Sequence, residues 1–203
     1  MGKVAKTFYG ADLDISYDEF VSWPFTHHLI DEGISVGTNV THTDTTRSAF
    51  TNPVGTPGEV LDLTFVYAAY FSSESIIDGA IEGQIIARLY SAWVSSSYTM
   101  YLTSVKITLF KYKADGTTDD IISETTIWSG SESLQGDSTQ KTKDIPIFFS
   151  FNVEDIMSTD ARLALRVHMY GYLNSSASNM YYQLLCGPSE KDMWISLPVV
   201  EEQ

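Results

Sequence analysis

The sequence predicts an all-β fold: an antiparallel β-sandwich of jelly-roll type with few or no helices. Apolar and polar residues alternate with a period of two along most of the chain, as in strands that bury one face. Segments of this kind follow one another between residues 59 and 200 with short polar turns between them. Eight medium-length strands are typical of a jelly roll. The rival immunoglobulin-like sandwich is smaller and has a Cys…Trp…Cys signature that this chain lacks.

The first half of this region contains four predicted strands. Their alternation assigns the inward positions: Leu61, Leu63 and Phe65 in segment 59–71; Ile81, Ile85, Leu89 and Trp93 in segment 80–94; Val105, Ile107 and Leu109 in segment 101–113. The fourth strand follows the turn signal Asp115-Gly116. We therefore expect a β-hairpin over residues 100–129.

The second half begins with residues 129–143, which are polar and aperiodic and are predicted to form an exposed loop. A Phe-rich strand over 144–153 and a short connector follow. In "ARLALRVHMYGYL", residues 161–173, one alternate set of side chains is a continuous apolar face, so the strand assignment is firm. Two further strands are expected at 180–186 and 193–200.

The N-terminal residues 1–58 are predicted to be an arm or extra strands, and residues 59–203 the sandwich, within a single domain overall. Segments 3–11 and 34–42 have strand-like composition. Segment 15–33 could hold a short helix, but Pro24 interrupts it. A loop rich in proline and glycine, residues 51–59, separates this part from the rest.

Charge and cysteine content exclude several classes. The net charge of −14 repels phosphate backbones, so we expect no direct nucleic-acid binding. The single cysteine, Cys186, permits no intrachain disulfide and is expected to be a small buried hydrophobe. The N-terminus has no apolar signal-peptide region, and no apolar run is long enough to span a bilayer, so we expect no membrane association.

No metal or cofactor is expected. His42 and Asp44 share a strand face but lack further ligands for zinc. An EF-hand-like run beginning at Asp12 has Tyr17 where glycine is required and Trp23 where the bidentate glutamate belongs. The acidic residues around 115–120 are explained by the Asp-Gly turn.

An enzyme is not expected either. The chain has no G-x-S-x-G motif, and its cysteine lies in an apolar run. Asp62, Glu82 and Glu124 are the acidic residues that fall within strands, and their phase predicts outer-face charges. No arrangement of two catalytic carboxylates can be inferred from them.

The run "PIFFSFNVEDIMSTDARLALRVHMYG", together with "MWISLPV", resembles tailed-virus structural proteins of jelly-roll type. In those proteins a Phe-rich strand, a short connector and a long L-x-L-x-V-x-x-x-G strand precede a closing strand. The likeness covers roughly residues 145–200. It implies a virion structural protein, such as a capsid decoration or accessory protein, made in the host cytoplasm without a signal peptide. The implied partners are further copies of the chain and the major capsid protein.

The polar face of segment 161–173 is the predicted contact surface. Its members are Arg162, Arg166, His168, Tyr170 and Tyr172. Arginine and aromatic side chains are enriched in protein–protein interfaces. A carbohydrate-binding β-sandwich module is the alternative, because tyrosine and tryptophan faces stack on sugar rings.

Overall fold

The computed structural model describes residues 2–9, 45–47, 53–66, 74–177, 179–185 and 194–201. Every regular element within these ranges is a β-strand. The strands are β1 (Gly2–Tyr9), β2 (Thr45–Arg47), β3 (Gly58–Val66), β4 (Ser75–Ala92), β5 (Thr99–Lys113), β6 (Thr118–Gln135), β7 (Gln140–Met157), β8 (Ala161–Leu173), β9 (Met180–Leu185) and β10 (Trp194–Glu201). In these ranges there is no helix with the length and apolar character needed to cross a membrane.

The strands form two antiparallel sheets, which confirms the predicted β-sandwich. Sheet B has the order β3-β8-β5-β6, and in sheet A strand β4 pairs with β7 on one side and with β10 and β9 on the other. Pairing is nested: β2 pairs with β9, β3 with β8, β4 with β7, and β5 with β6. A hairpin ribbon of eight strands folded over into two sheets is the jelly-roll arrangement.

The core lies between the sheets and is formed by the alternating positions that the sequence predicts. In β8, Leu163, Leu165, Val167 and Met169 are at most 1% exposed. Strand β4 contributes Ile77, Ile81, Ile85 and Leu89 from the opposite sheet, all fully buried. Each of these side chains stabilises the fold by about 2 kcal/mol through burial alone.

Two local predictions are wrong. Most of the predicted loop 129–143 is strand, because β6 continues to Gln135 and β7 starts at Gln140. Its polar composition reflects the position of β6 and β7 at sheet edges, where most of these side chains face solvent. Trp93, predicted to face the core, is 71% exposed, because β4 ends at Ala92 and Trp93 adopts a left-handed backbone with φ of 51°.

Strands from the first 58 residues belong to sheet A. Strand β1 pairs with β10, and β2 pairs with β9. The strand predicted at 34–42 and the short helix predicted within 15–33 lie outside the described residues, as does Cys186. Pro146 lies in β7, whose one strand neighbour in the described sheet is β4. An edge strand tolerates proline because one of its sides needs no ladder donors.

Candidate functional site

The five predicted contact residues lie together on the outer face of sheet B, on β8 between β3 and β5. Arg162, Arg166, Tyr170 and Tyr172 are half-buried, whereas His168 is only 8% exposed. His168 is thus the most enclosed of the five predicted contact residues. Its imidazole is enclosed because acidic side chains lie against it from both sides of β8: Asp62 from β3 and Glu124 from β6.

Four polar side chains form a line across sheet B, which we name the ionic row: Asp62 on β3, His168 on β8, Lys106 on β5 and Glu124 on β6. Asp62 and Lys106 are the direct cross-strand partners of His168. His168 Nδ1 lies 2.8 Å from Glu124 Oε2, and Lys106 Nζ donates to Glu124 Oε1 at 2.7 Å. Acidic side chains on the two edge strands of the sheet, β3 and β6, therefore flank the basic side chains on β8 and β5 and pair with them.

Asp62 is the most enclosed charge of the row, at 6% exposure. Arg166 binds it in a bidentate manner, with Nε donating to Oδ1 at 2.9 Å and the terminal nitrogen to Oδ2 at 2.5 Å. His168 Nε2 lies 2.8 Å from Asp62 Oδ1, although the ring N–H is not aligned for a hydrogen bond. The planar guanidinium compensates the negative charge of the buried carboxylate by donating hydrogen bonds to both of its oxygens.

The row shifts the pKa values of its members. The hydrogen bond from Lys106, followed by that of His168, lowers the pKa of Glu124 below its ordinary value against the effect of burial. Burial alone would lower the pKa of His168, but Asp62 and Glu124 outweigh burial and the nearby Arg166 and raise it. Acidic neighbours on both sides thus favour the charged imidazole.

The aromatic side chains around the row are held by neighbours in the same chain. Tyr101 and Tyr172 stack with ring centroids 4.7 Å apart and an interplanar angle of 13°. Lys106 lies 5.0 Å from the centroid of the Tyr170 ring, and Arg162 lies 5.3 Å from that of Tyr112. The spacing of the stacked tyrosines matches the distance between adjacent strands, so the two rings lie face to face across neighbouring strands.

Sequence reasoning located part of this site. Asp62 and Glu124 were predicted as outer-face charges, and the structure places both there, although Asp62 is nearly buried. Glu82 lies in β4 of sheet A and is exposed. Glu59 was missed, because a β-bulge between Glu59 and Leu61 changes the phase of β3. The adjacent buried pair Val60-Leu61 is the sequence signal that could have revealed the bulge.

A second polar cluster surrounds Lys111, which is 7% exposed. Its Nζ atom lies 2.8 Å from Asp119 Oδ2 on β6 and 2.9 Å from Asp155 Oδ1 on β7, so it links the two sheets. An open pocket of about 430 Å³ beside it is lined by Ile76, Lys111, Glu154, Asp155 and Ile156. Burial alone would lower the pKa of Lys111, but hydrogen bonds to both carboxylates raise it.

The Lys111 cluster predicts an acid-dependent stability difference. The hydrogen bond from Lys111 holds the pKa of Asp119 below its ordinary value of 3.8. A carboxyl group whose pKa is depressed by folding stabilises the fold above the unfolded pKa and loses this contribution as pH falls through the folded pKa. We expect Lys111→Met to be less stable than wild type at pH 7 and the difference to shrink below about pH 4. Urea denaturation at both pH values measures this; a difference independent of pH would contradict it.

The remaining candidates of the sequence are placed as follows. Asp115 Oδ1 accepts from the backbone N–H and the hydroxyl of Thr117, at 2.9 and 2.6 Å, and Gly116 adopts a φ of 84°. The Asp-Gly turn thus accounts for Asp115 without an ion. His42, Asp44 and the acidic residues after Asp12 lie outside the described residues.

Fold and site together define a jelly-roll β-sandwich with a self-paired ionic row on the outer face of one sheet. No protein-family model matches the sequence, and no curated protein matches it. Similar solved structures include a CocE/NonD family hydrolase from Staphylococcus aureus, with 7% identity and a TM-score of 0.41. That match covers 73% of this chain and 34% of the hydrolase.

Two further structures illustrate the range of the likeness. The structure of infectious bursal disease virus, Gx strain, matches with 7% identity and a TM-score of 0.29, over 98% of this chain and 37% of that one. The C-terminal family 22 carbohydrate-binding module of Clostridium thermocellum Xyn10B matches with 14% identity and a TM-score of 0.22, over 77% and 95%. This chain spans about a third of the hydrolase and viral chains. At such low identities and TM-scores, none of these likenesses assigns a family or a function.

Proposed function

We propose that the protein is a virion structural protein of the capsid decoration or accessory type, which acts through contacts between subunits. The outer face of sheet B is the proposed contact surface between copies of the chain. The observation that supports this proposal is the charge distribution. On this face the basic side chains Lys106, Arg162 and Arg166 lie on the two central strands, and the acidic Glu59, Asp62 and Glu124 lie on the strands beside them.

The formal charges of this set are three positive and three negative, which sum to zero, whereas the whole chain carries −14. This group of six side chains therefore carries none of the excess negative charge. Two copies of a strongly acidic protein repel each other except where neutral faces meet. The group of six forms such a neutral patch on the outer face of sheet B, and a symmetric dimer would use the same patch on both subunits.

The face is also held in one conformation before any contact forms. Arg166 is fixed by Asp62, Tyr172 by Tyr101, and Lys106 by Glu124. Ordering long side chains at an interface costs about 1 kcal/mol each, and a surface ordered in the free protein avoids much of that cost. The half-buried tyrosines add apolar area to the proposed contact surface, and they do so without placing an unpaired cation there.

The test compares two cross-strand tyrosine pairs, one on each sheet. Tyr101→Ser/Tyr172→Ser removes the pair on sheet B, and Tyr90→Ser/Tyr181→Ser removes a similar pair on sheet A with centroids 5.8 Å apart. We expect the sheet B variant to weaken self-association at least about tenfold, as loss of central interface aromatics does. The sheet A variant should associate like wild type. Sedimentation equilibrium measures both, after circular dichroism has shown that each variant is folded.

Arg166 is a poor target for this test because its removal leaves the buried Asp62 without its bidentate partner.

Association should strengthen as salt rises, because salt screens the repulsion between acidic subunits. A protein that stays monomeric at millimolar concentration in high salt, or equal losses in both double variants, would contradict the proposed contact surface. Peptide mass spectrometry of purified virus particles from the source tests the location in the virion.

Carbohydrate binding is the second candidate, and one observation favours it: the indole of Trp93 is 71% exposed. The tyrosines near the ionic row are less suited to it. Tyr101 and Tyr172 turn their ring faces toward each other, and cations cover Tyr170 and Tyr112. A protein of this class would stay monomeric and bind polysaccharide in affinity electrophoresis, with the binding lost in Trp93→Ala.

A further inference from the structure

A β-bulge brings Glu59 to the ionic row. Glu59 and Asp62 are three residues apart, and in a regular strand they would face opposite sides of the sheet. The register of β3 against β8 shifts between Glu59 and Leu61, so Glu59 lies opposite Tyr170 while Asp62 lies opposite His168. Both carboxylates consequently reach the outer face. Bulges that redirect a side chain in this way are frequent beside functional sites.

The bulge gathers three potential metal ligands. One ligand atom from each of Glu59, Asp62 and His168 lies within 4.8 Å of the other two. Asp62 and His168 are buried and Glu59 is half-buried. An imidazole nitrogen with two carboxylate oxygens suits Zn²⁺ and related divalent transition metals, which bind at about 2.0–2.2 Å. Calcium and magnesium prefer oxygen ligands alone.

The orientation of His168 is an independent sign of such a site. Nδ1 faces Glu124 Oε2 at 2.8 Å, and Glu124 is itself held by Lys106. A carboxylate that binds the second nitrogen of a histidine is the usual outer partner of a metal-binding imidazole. The other nitrogen, Nε2, is buried and has no aligned hydrogen-bond partner, although Asp62 Oδ1 lies 2.8 Å away, and the histidine is grouped with Asp62 and Glu59 as a potential ligand.

Arg166 is the cation that would oppose metal binding, since it already binds both oxygens of Asp62. A carboxylate offers about four lone-pair positions, so Asp62 can bind a metal and the guanidinium together. Glu59, Asp62 and Glu124 carry three negative charges against two positive charges on Arg166 and Lys106. A metal ion displaces the proton that the acidic neighbours favour on His168; with the neutral imidazole the group is at −1, and a divalent cation brings it to +1 within a chain of net charge −14.

We propose that Glu59, Asp62 and His168 bind one divalent transition metal ion of the zinc class, with Glu124 as the positioning residue that orients His168. Water supplies the fourth ligand. The ion cross-links β3 and β8 at the centre of the outer face of sheet B. This inference does not depend on the assembly role proposed above.

The test uses the full chain with His168 as its sole histidine. The variant His27→Gln/His28→Gln/His42→Gln/Cys186→Ser removes the other histidines and the cysteine, which could bind zinc elsewhere. After EDTA treatment and dialysis, calorimetric titration with Zn²⁺ should give one site per chain. In ¹⁵N spectra of the histidine, Nε2 should shift on zinc addition while Nδ1 stays protonated.

Substitutions in this background identify the ligands. Glu59→Gln and His168→Gln should each weaken zinc binding more than tenfold, and Glu124→Gln about 10- to 100-fold. Glu82→Gln, an exposed acidic residue on sheet A, is the matched control and should leave the affinity unchanged. Glu59→Gln decides the question if His168→Gln does not fold, because Glu59 is half-buried. Zinc binding that survives Glu59→Gln, an adventitious ion only, or no binding at all would overturn the proposal.

Discussion

Replacement of Gly171 by alanine is expected to destabilise the fold by about 3 kcal/mol, at the upper end of the usual cost of overpacking. A Cβ atom at this position would lie 2.3 Å from the backbone oxygen of Tyr101 and 2.8 Å from the Tyr182 ring and hydroxyl. Tyr182 is fully buried and its hydroxyl lies 2.9 Å from the carbonyl oxygens of both Tyr101 and Tyr172. The tyrosine thus connects the two sheets, and Gly171 leaves room for it.

Urea denaturation at neutral pH measures the loss, and Gly83→Ala is the matched control. Its Cβ would meet the far end of the Phe149 side chain, a buried ring, rather than backbone, and a side chain can shift more easily than backbone. We expect this control to cost about 1 kcal/mol. Combining Gly171→Ala with Tyr182→Phe should not restore stability, because the nearest obstacle is backbone. If Gly171→Ala and Gly83→Ala lost the same free energy of unfolding, the backbone around Gly171 would be able to shift, and the prediction would be contradicted.

Asp62→Asn is expected to lower the free energy of unfolding by about 2–3 kcal/mol. The substitution keeps the volume of the side chain but removes the charge that compensates Arg166 and His168. Breaking a buried pair typically costs 3–5 kcal/mol, and the figure here is reduced because Arg166 is 35% exposed and can turn to water.

Asp144→Asn provides the comparison for Asp62→Asn. Arg88 also binds Asp144 in a bidentate manner, at 2.6 and 2.8 Å, but these side chains are 26% and 43% exposed. An exposed pair of similar geometry contributes about 0–1 kcal/mol. Denaturation with EDTA present excludes a contribution from bound metal. If both variants lost the same stability, burial of Asp62 would not be the cause of the effect.

The period-two pattern predicted the fold well, because a strand that buries one face needs apolar side chains at every second position of its sequence. In "ARLALRVHMYGYL" the apolar set is the core set, as the buried Leu163, Leu165 and Val167 show. The pattern fails where the exposure of a side chain depends on the position of its strand in the sheet or on a turn in the backbone. Residues 129–135 are polar because β6 is at a sheet edge, and Trp93 leaves the core phase because the backbone turns there.

The site was less predictable, since it depends on which strands become neighbours. Alternation shows that Asp62, Glu124 and His168 are on outer phases, but not that β3, β8, β5 and β6 lie in that order. The bulge at Glu59 is a second obstacle, because it moves one carboxylate to the other face of the sheet. The ionic row therefore follows from topology and register, which a single sequence does not specify.

The nested pairing of the strands has a consequence for folding. Contacts within and beside the ionic row span separations of 18 residues for Lys106–Glu124, 44 for His168–Glu124 and 104 for Arg166–Asp62. Closing a long loop costs chain entropy. Once the β5–β6 hairpin has formed, however, it brings the near ends of β4 and β7 together, and their pairing then does the same for β3 and β8. Each closure shortens the effective loop of the next, so contacts that are distant in sequence can form by a series of nearly local steps.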